Sequence, residues 1–208
     1  MLSLINKRPN DLQRPLCVDL DGTLVAEETH RVLARALFRH NKRRWLEALV
    51  LFVCRGRLAF KHAVARQELA QVLRVMPRSF LVTWLHSEKA KGRQLILVTG
   101  APRCVAEHVS ETPFVTGLFD RVIASDVRTN CVGKMKARAL AQQFGAKRFD
   151  YVGNSWQDCP VWQAARRAYA VTDNPRLVRW LQRNLPGAAI NAAGAFDLSD
   201  VRAYKNWV

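Results

Sequence analysis

Acidic residues are scarce in this chain. Seventeen Asp and Glu stand against thirty-three Lys and Arg, leaving a formal charge of +16 on 208 residues. Such an imbalance points to an anionic partner, whether a nucleic acid, a membrane surface or a small substrate, and charge by itself does not choose among them. Cysteine is scattered: Cys17, Cys54, Cys104, Cys131 and Cys159 share no metal-ligand spacing. That argues against a secreted disulfide framework and fits a reducing compartment. Histidine offers no metal spacing either, although His30, His40, His62 and His86 all fall within residues 27–91. Long apolar runs are missing. The longest, near Leu46 to Cys54, is far short of the roughly 20 residues that cross a bilayer. No apolar stretch of signal-peptide length precedes Lys7-Arg8-Pro9, so the expected location is cytoplasmic, either free or peripheral to a membrane. Repeats are absent, and no recognised nucleic-acid motif accompanies the charge, which makes nucleic acid the weakest of the three partners.

What the chain does have is an apolar fraction of 49%, enough for one ordinary domain with a sizeable insertion. Residues 1–15 are polar, contain Pro9 and Pro15, and read as a lead-in arm. The run Leu16 to Leu20 predicts a buried strand that stops at Gly22. From Glu27 to Lys91 the apolar residues recur at helical spacing, predicting four helices with breaks near Asn41, Arg55-Gly56 and Met76-Pro77. The stripes include Val32 with Leu33, Leu46 with Leu49, Val50 and Val53, Phe60 with Val64, Leu69 with Val72, and Phe80 with Trp84.

After Gly92 the pattern changes. Strands are expected at Gln94–Thr99, Phe119–Ala124, Phe149–Val152 and Ala168–Val171, and helices at Pro102–Ser110, Lys134–Phe144, Pro160–Arg167 and Pro175–Asn184. Strands spaced by helices of about ten residues imply an α/β fold, a parallel sheet flanked by helices. Residues 1–26 and 92–184 would then form a Rossmann-like core, 27–91 an all-helical insertion after the first strand, and 185–208 a tail.

Open sheets of this kind place ligands beyond the carboxyl ends of their strands. Four groups fall there. Asp19 and Asp21 sit two apart, so on an extended backbone both side chains leave one face. Two carboxylates closing a core strand are costly unless a cation offsets them, and a divalent metal is the usual answer. Thr99-Gly100 follows the second strand, Lys134 or Lys136 opens the helix after the third, and Gly153-Asn154-Ser-Trp-Gln-Asp158 follows the fourth. Singly each has a bland reading as a turn, a solvated lysine or an N-cap.

In this order, each at a strand end, the four groups resemble the motif set of the haloacid dehalogenase (HAD) superfamily, its phosphoserine-phosphatase-like branch in particular. The likeness runs over roughly residues 14–184. It implies a Mg²⁺-dependent phosphatase in which Asp19 is the nucleophile and forms an aspartyl phosphate. It implies Asp21 as the general acid and base. Thr99, with the amides of Gly100 and Ala101, would hold phosphoryl oxygens beside the Gly22 turn, while Lys136, with Lys134 as the fallback, neutralises charge. Mg²⁺ would be held by Asp19, the Asp21 carbonyl, and Asn154 or Asp158. One position departs from the pattern: the usually acidic first residue of the last motif is Asn154, so the site lacks one negative charge.

The insertion resembles the cap that selects substrates in such enzymes. It carries fourteen Lys or Arg against five Glu. Arg39 to Arg44 beside Trp45 to Val53 combines a basic cluster with an apolar helical stripe, a pattern that suits an anionic membrane surface or, equally, a helix of the cap's own core. Phe38 to Ala63, Phe149 to Ser155 and Pro160 to Arg167 resemble the soluble HAD domain attached to some UbiA-type prenyltransferases. Val201 to Val208 resembles the approach to such a membrane domain, with no membrane helix following. A phosphorylated prenyl or sugar-lipid substrate is therefore expected, or alternatively a non-catalytic binding domain that works with a membrane prenyltransferase.

Overall fold

The structure is a computed structural model that describes residues 14–65 and 73–191. The lead-in arm up to residue 13, Leu69 and Val72, and Val201 to Val208 lie outside the described residues.

Six parallel strands form one sheet: β1 (Leu16–Val18), β2 (Leu95–Pro102), β3 (Arg121–Ser125), β4 (Asp150–Gly153), β5 (Ala168–Val171) and β6 (Ala189–Asn191). Their spatial order is β3-β2-β1-β4-β5-β6. β1 lies between β2 and β4, with Leu16 opposite both Leu95 and Asp150. Strand order therefore reverses beside β1, which is where an open parallel sheet holds its ligand. The expected α/β Rossmann-like architecture is present. A sixth strand joins it from the stretch read as a tail, too short and too exposed in its alternation to stand out.

Period-two alternation sorts the strand residues into two cores. Leu16, Val18, Leu95, Leu97 and Val152 face one layer of helices, while Cys17, Ile96, Val98 and Tyr151 face the other. The second layer consists of α5 (Gly133–Phe144), α6 (Cys159–Ala164) and α7 (Pro175–Asn184), with Leu140, Trp162 and Leu181 buried against the sheet. Full burial of one such Leu contributes about 1.5–3 kcal/mol. α7 starts cleanly because the Asn174 side chain accepts from the Arg176 and Leu177 amides while Pro175 fills the first turn.

Among the described residues the inserted segment has two parts. Helices α1 (Thr29–His40) and α2 (Lys42–Val64) form a hairpin, and α2 is bent where Gly56 adopts φ 79°. The break expected at Arg55-Gly56 is present: Gly56 is non-helical, with φ 79° and ψ −174°, so two helical runs meet there at a kink, in a conformation that only a residue without Cβ adopts easily. Helix α3 (Ser79–Ala90) instead lies on the sheet. Trp84 touches Tyr169 of β5 with ring centroids 5.0 Å apart, and buried Glu88 receives Arg93 at 2.9 Å. Arg93 also bonds Asp150, which Arg166 holds from the other side at 2.9 Å. Val25 pairs with Pro77, and Arg78 N–H donates to Leu24 at 2.8 Å. We propose that this neck bounds the cap, so that α3 belongs with the core. A further helix, α4 (Arg103–Ser110), packs beside β2 and β3.

Candidate active site

Asp19 follows β1 directly and is anchored by its amide to Val152 of β4 at 3.0 Å. Three residues on, the chain must turn. Gly22 makes that turn with φ 74°, and a Cβ there would lie 2.1 Å from Asn154 Nδ2. Both conformation and space reserve the position for glycine. Thr23, next along, donates its hydroxyl to Asn154 Oδ1 at 3.2 Å, tying the first and last motifs together.

Around Asp19 the structure assembles a buried polar chain. Lys136 Nζ donates to Asp19 Oδ1 at 2.7 Å and to the Tyr151 hydroxyl at 2.9 Å. Tyr151 donates in turn to Asp158 Oδ1 at 2.7 Å. The other Asp158 oxygen accepts from the Asn154 and Ser155 amides, each at 3.0 Å, and from the Ser155 hydroxyl at 3.1 Å. Both oxygens of Asp158 are thus engaged by protein donors. It braces the loop after β4 and aims Tyr151, while Asn154 presents its carboxamide to the cavity. Lys134, two residues earlier on α5 and so about half a turn away, is exposed.

Burial sets the electrostatics. Desolvation pushes the Asp19 carboxyl up to about 7 even though Lys136 pulls it down. Asp21 is also raised by burial, partly offset by the Thr29 N–H that donates to its Oδ1 at 2.7 Å. Burial works against the charge on Lys136, but the Asp19 and Asp158 carboxylates outweigh it and hold the ammonium above its ordinary range. A charged Lys136 therefore bridges carboxylates, and Asp21, whose proton affinity burial raises, stands nearby.

The cavity is about 330 Å³ and is lined by Asp19, Asp21, Lys136, Asn154 and, from the insertion, Arg31, Arg57 and Lys61. These three cations of the insertion were not singled out in the sequence. Lys61 comes from beyond the Gly56 kink and donates to the Gly100 carbonyl at 3.0 Å, with its charge disfavoured by burial. Tyr151 was also missed, since its strand position reads as ordinary core. Gly100 lines the cavity, but Thr99 and Ala101 are buried behind it, where the Ala101 N–H donates to Thr99 Oγ1 at 2.9 Å.

The donor set fits a hard divalent cation. Asp19, Asp21, Asn154 and Asp158 bring oxygens to one cavity, and burial deprives the Asp19 carboxylate of the water that would solvate its charge, a role a bound cation can take. Asp21, Glu28 and His30 also bring one ligand atom each within 4.8 Å of one another at the cap edge. Removing only the Tyr151 hydroxyl tests the polar chain. Tyr151→Phe leaves Lys136 one acceptor short and Asp158 one donor short, and should cost about 1–3 kcal/mol in urea unfolding. An unchanged midpoint would show that the chain contributes nothing.

Comparison with known proteins agrees with this geometry. An uncharacterised protein, y4nM, of Sinorhizobium fredii is 30% identical over 164 residues, which is 78% of this chain and 31% of that protein. The chain thus matches about a third of that relative's length. Solved structures share the fold. A Bordetella pertussis protein of unknown function superposes with a TM-score of 0.64 at 18% identity, over 86% of this chain and 98% of that one. A phosphoserine phosphatase holding an analogue of its phospho-aspartyl intermediate superposes with a TM-score of 0.52 at 16% identity, over 92% and 98%. Residues 16–163, from the opening strand through the Asn154–Asp158 loop, match one family throughout, and the chain belongs to the haloacid dehalogenase-like hydrolases.

Proposed function

We propose that the chain is a Mg²⁺-dependent phosphomonoester hydrolase that works through an aspartyl phosphate on Asp19. The observation carrying this is the buried Asp19–Lys136–Tyr151–Asp158 chain with Asp21 beside it. The phosphoserine phosphatase with its phospho-aspartyl analogue supports the same reading. Lys136 fixes one oxygen of Asp19, leaving the other to attack phosphorus in line. The ester P–O bond breaks as Asp21 protonates the departing oxygen. Asp21, now ionised, takes a proton from water, and the hydroxide formed displaces inorganic phosphate from Asp19. Mg²⁺, held by Asp19, the Asp21 carbonyl and Asn154, would supply charge neutralisation for the phosphoryl group. The role expected of Ala101 requires its N–H to leave Thr99 Oγ1 for phosphate, whereas Thr99 only accepts in that bond and keeps its hydroxyl hydrogen to donate.

The substrate is an anionic phosphate ester facing Arg31, Arg57 and Lys61, and phosphorylated prenyl or sugar-lipid compounds belong in the screen. The test compares hydrolysis of such esters and of small phosphomonoesters with and without Mg²⁺. No hydrolysis of any ester would overturn the reading. It would favour the alternative, a binding or regulatory domain working with a membrane prenyltransferase. Two observations lean that way: a carboxamide at Asn154, and a matched relative about three times longer than the shared stretch. Asn154 gives a sharper measurement. Asn154→Asp should tighten Mg²⁺ about tenfold by restoring a carboxylate, and Asn154→Ala should weaken it by a similar factor. A Mg²⁺ requirement unchanged by either substitution would remove Asn154 from the ligand set.

A further inference from the structure

The first half of α2 turns an apolar stripe outward. Leu46, Leu49, Val50 and Val53 recur at helical spacing, and they are exposed by 57%, 37%, 60% and 78%. The opposite side of the helix is satisfied by α1, where Ala48 is buried and Trp45 meets Phe38 edge-on with centroids 5.2 Å apart. Eleven large apolar residues are exposed among the described residues, and five of them, these four and Phe52, fall within positions 46–53. Scattered exposure is ordinary, but a contiguous patch marks a contact surface. The two alternatives left open by the sequence, cap core or free face, are thus decided in favour of the free face.

We propose that this face docks on an anionic lipid bilayer, with α2 lying in the plane of the headgroups. Charge selects the occupant. Between positions 39 and 57 there are six Lys or Arg and one acid, Glu47, which is itself paired with Arg43 at 3.5 Å. A second copy of the chain would bring two such clusters, on molecules of charge +16, into contact. An anionic bilayer presents the opposite sign and accepts apolar side chains between its headgroups. Among the described residues no helix is long and apolar enough to cross a membrane, so the helix lies on the surface. Beyond the Gly56 kink the same helix carries Arg57 and Lys61 into the cavity, so the docking face and the pocket share one element. The proposal does not depend on phosphatase activity.

Flotation of the full chain tests it, using vesicles of phosphatidylcholine alone or rich in phosphatidylserine, at low salt. Binding is expected only to the anionic vesicles. Val50→Glu with Val53→Glu should weaken it at least about tenfold, because two carboxylates then face the headgroups. Both side chains are exposed, so helix content by circular dichroism should not change. Three results would overturn the proposal. One is flotation of the double variant equal to wild type, which would assign binding to general surface charge. The others are equal binding to neutral vesicles, and a wild-type dimer in sedimentation that the double variant dissolves while neither binds vesicles.

Discussion

Asp19→Asn should abolish phosphate-ester hydrolysis, with a loss on the order of 10³-fold or more, while the protein stays folded. An amide cannot form the acyl phosphate, yet it keeps the size and one oxygen of the carboxylate and so still accepts from Lys136. Trapping of a labelled phosphoryl group on the acid-quenched protein is the direct measurement. Label that remains on the variant would place the nucleophile elsewhere. The same substitution makes a pH prediction. Burial raises the Asp19 carboxyl to about 7 from an ordinary value of 3.8, so folding favours its protonated form. Its contribution to stability is fully present below 3.8 and is lost as pH rises through about 7. In chelator, wild type should therefore lose stability relative to Asp19→Asn between pH 4 and 7 or so. The difference should level off above that window. Lys136 stays charged throughout it and does not reverse the sign. Urea midpoints of the two proteins, compared across this range, decide it, and parallel curves would show that Asp19 is not destabilised by burial.

Lys136→Met carries the second large effect. The thioether keeps the length of the buried stem and removes the charge. Among the described residues, Asp19, whose proton affinity burial already raises, then has no cation donating a hydrogen bond to it. Breaking one side of a buried pair costs about 3–5 kcal/mol, mostly from the partner left behind. We expect a loss of that order in urea unfolding at pH 8, with hydrolysis down about 10²–10³-fold from lost charge stabilisation. Lowering the pH should narrow the stability gap, because a protonated Asp19 no longer needs the ammonium. Lys134→Met is the control and should match wild type within about 0.5 kcal/mol, since its side chain is on the surface. Equal effects at both positions would show that α5 presents neither lysine to the site.

Much of the arrangement was legible because it is written in local periodicity. An apolar triplet ending in Asp19-Leu-Asp-Gly predicts a strand and a turn, and the near-continuous burial of β1, β2 and β4 follows from residues that face helices on both sides. Alternation of strand and helix then dictates a parallel sheet, and a parallel sheet brings its strand ends together. Even the phase of α5 is local, since Lys136 and Leu140 lie one turn apart and both point inward.

Tertiary structure alone decided which side chains meet. Tyr151 is an ordinary core residue in sequence, and becomes the link between Lys136 and Asp158 because β4 lies beside β1 with α5 packed over it. Asp158 lies at the cavity as the acid of the last motif, and only the folded loop surrounds it with four hydrogen bonds, from the Tyr151 hydroxyl, the Asn154 and Ser155 amides and the Ser155 hydroxyl. Lys61 and Arg57 reach the cavity only because Gly56 bends α2, and the stripe from Leu46 to Val53 is a free face only because α1 covers the other side. Sequence spacing reports the phase of one element. It cannot report which phases face each other across a bend or between strands far apart in the chain, and the chemistry of this site is made there.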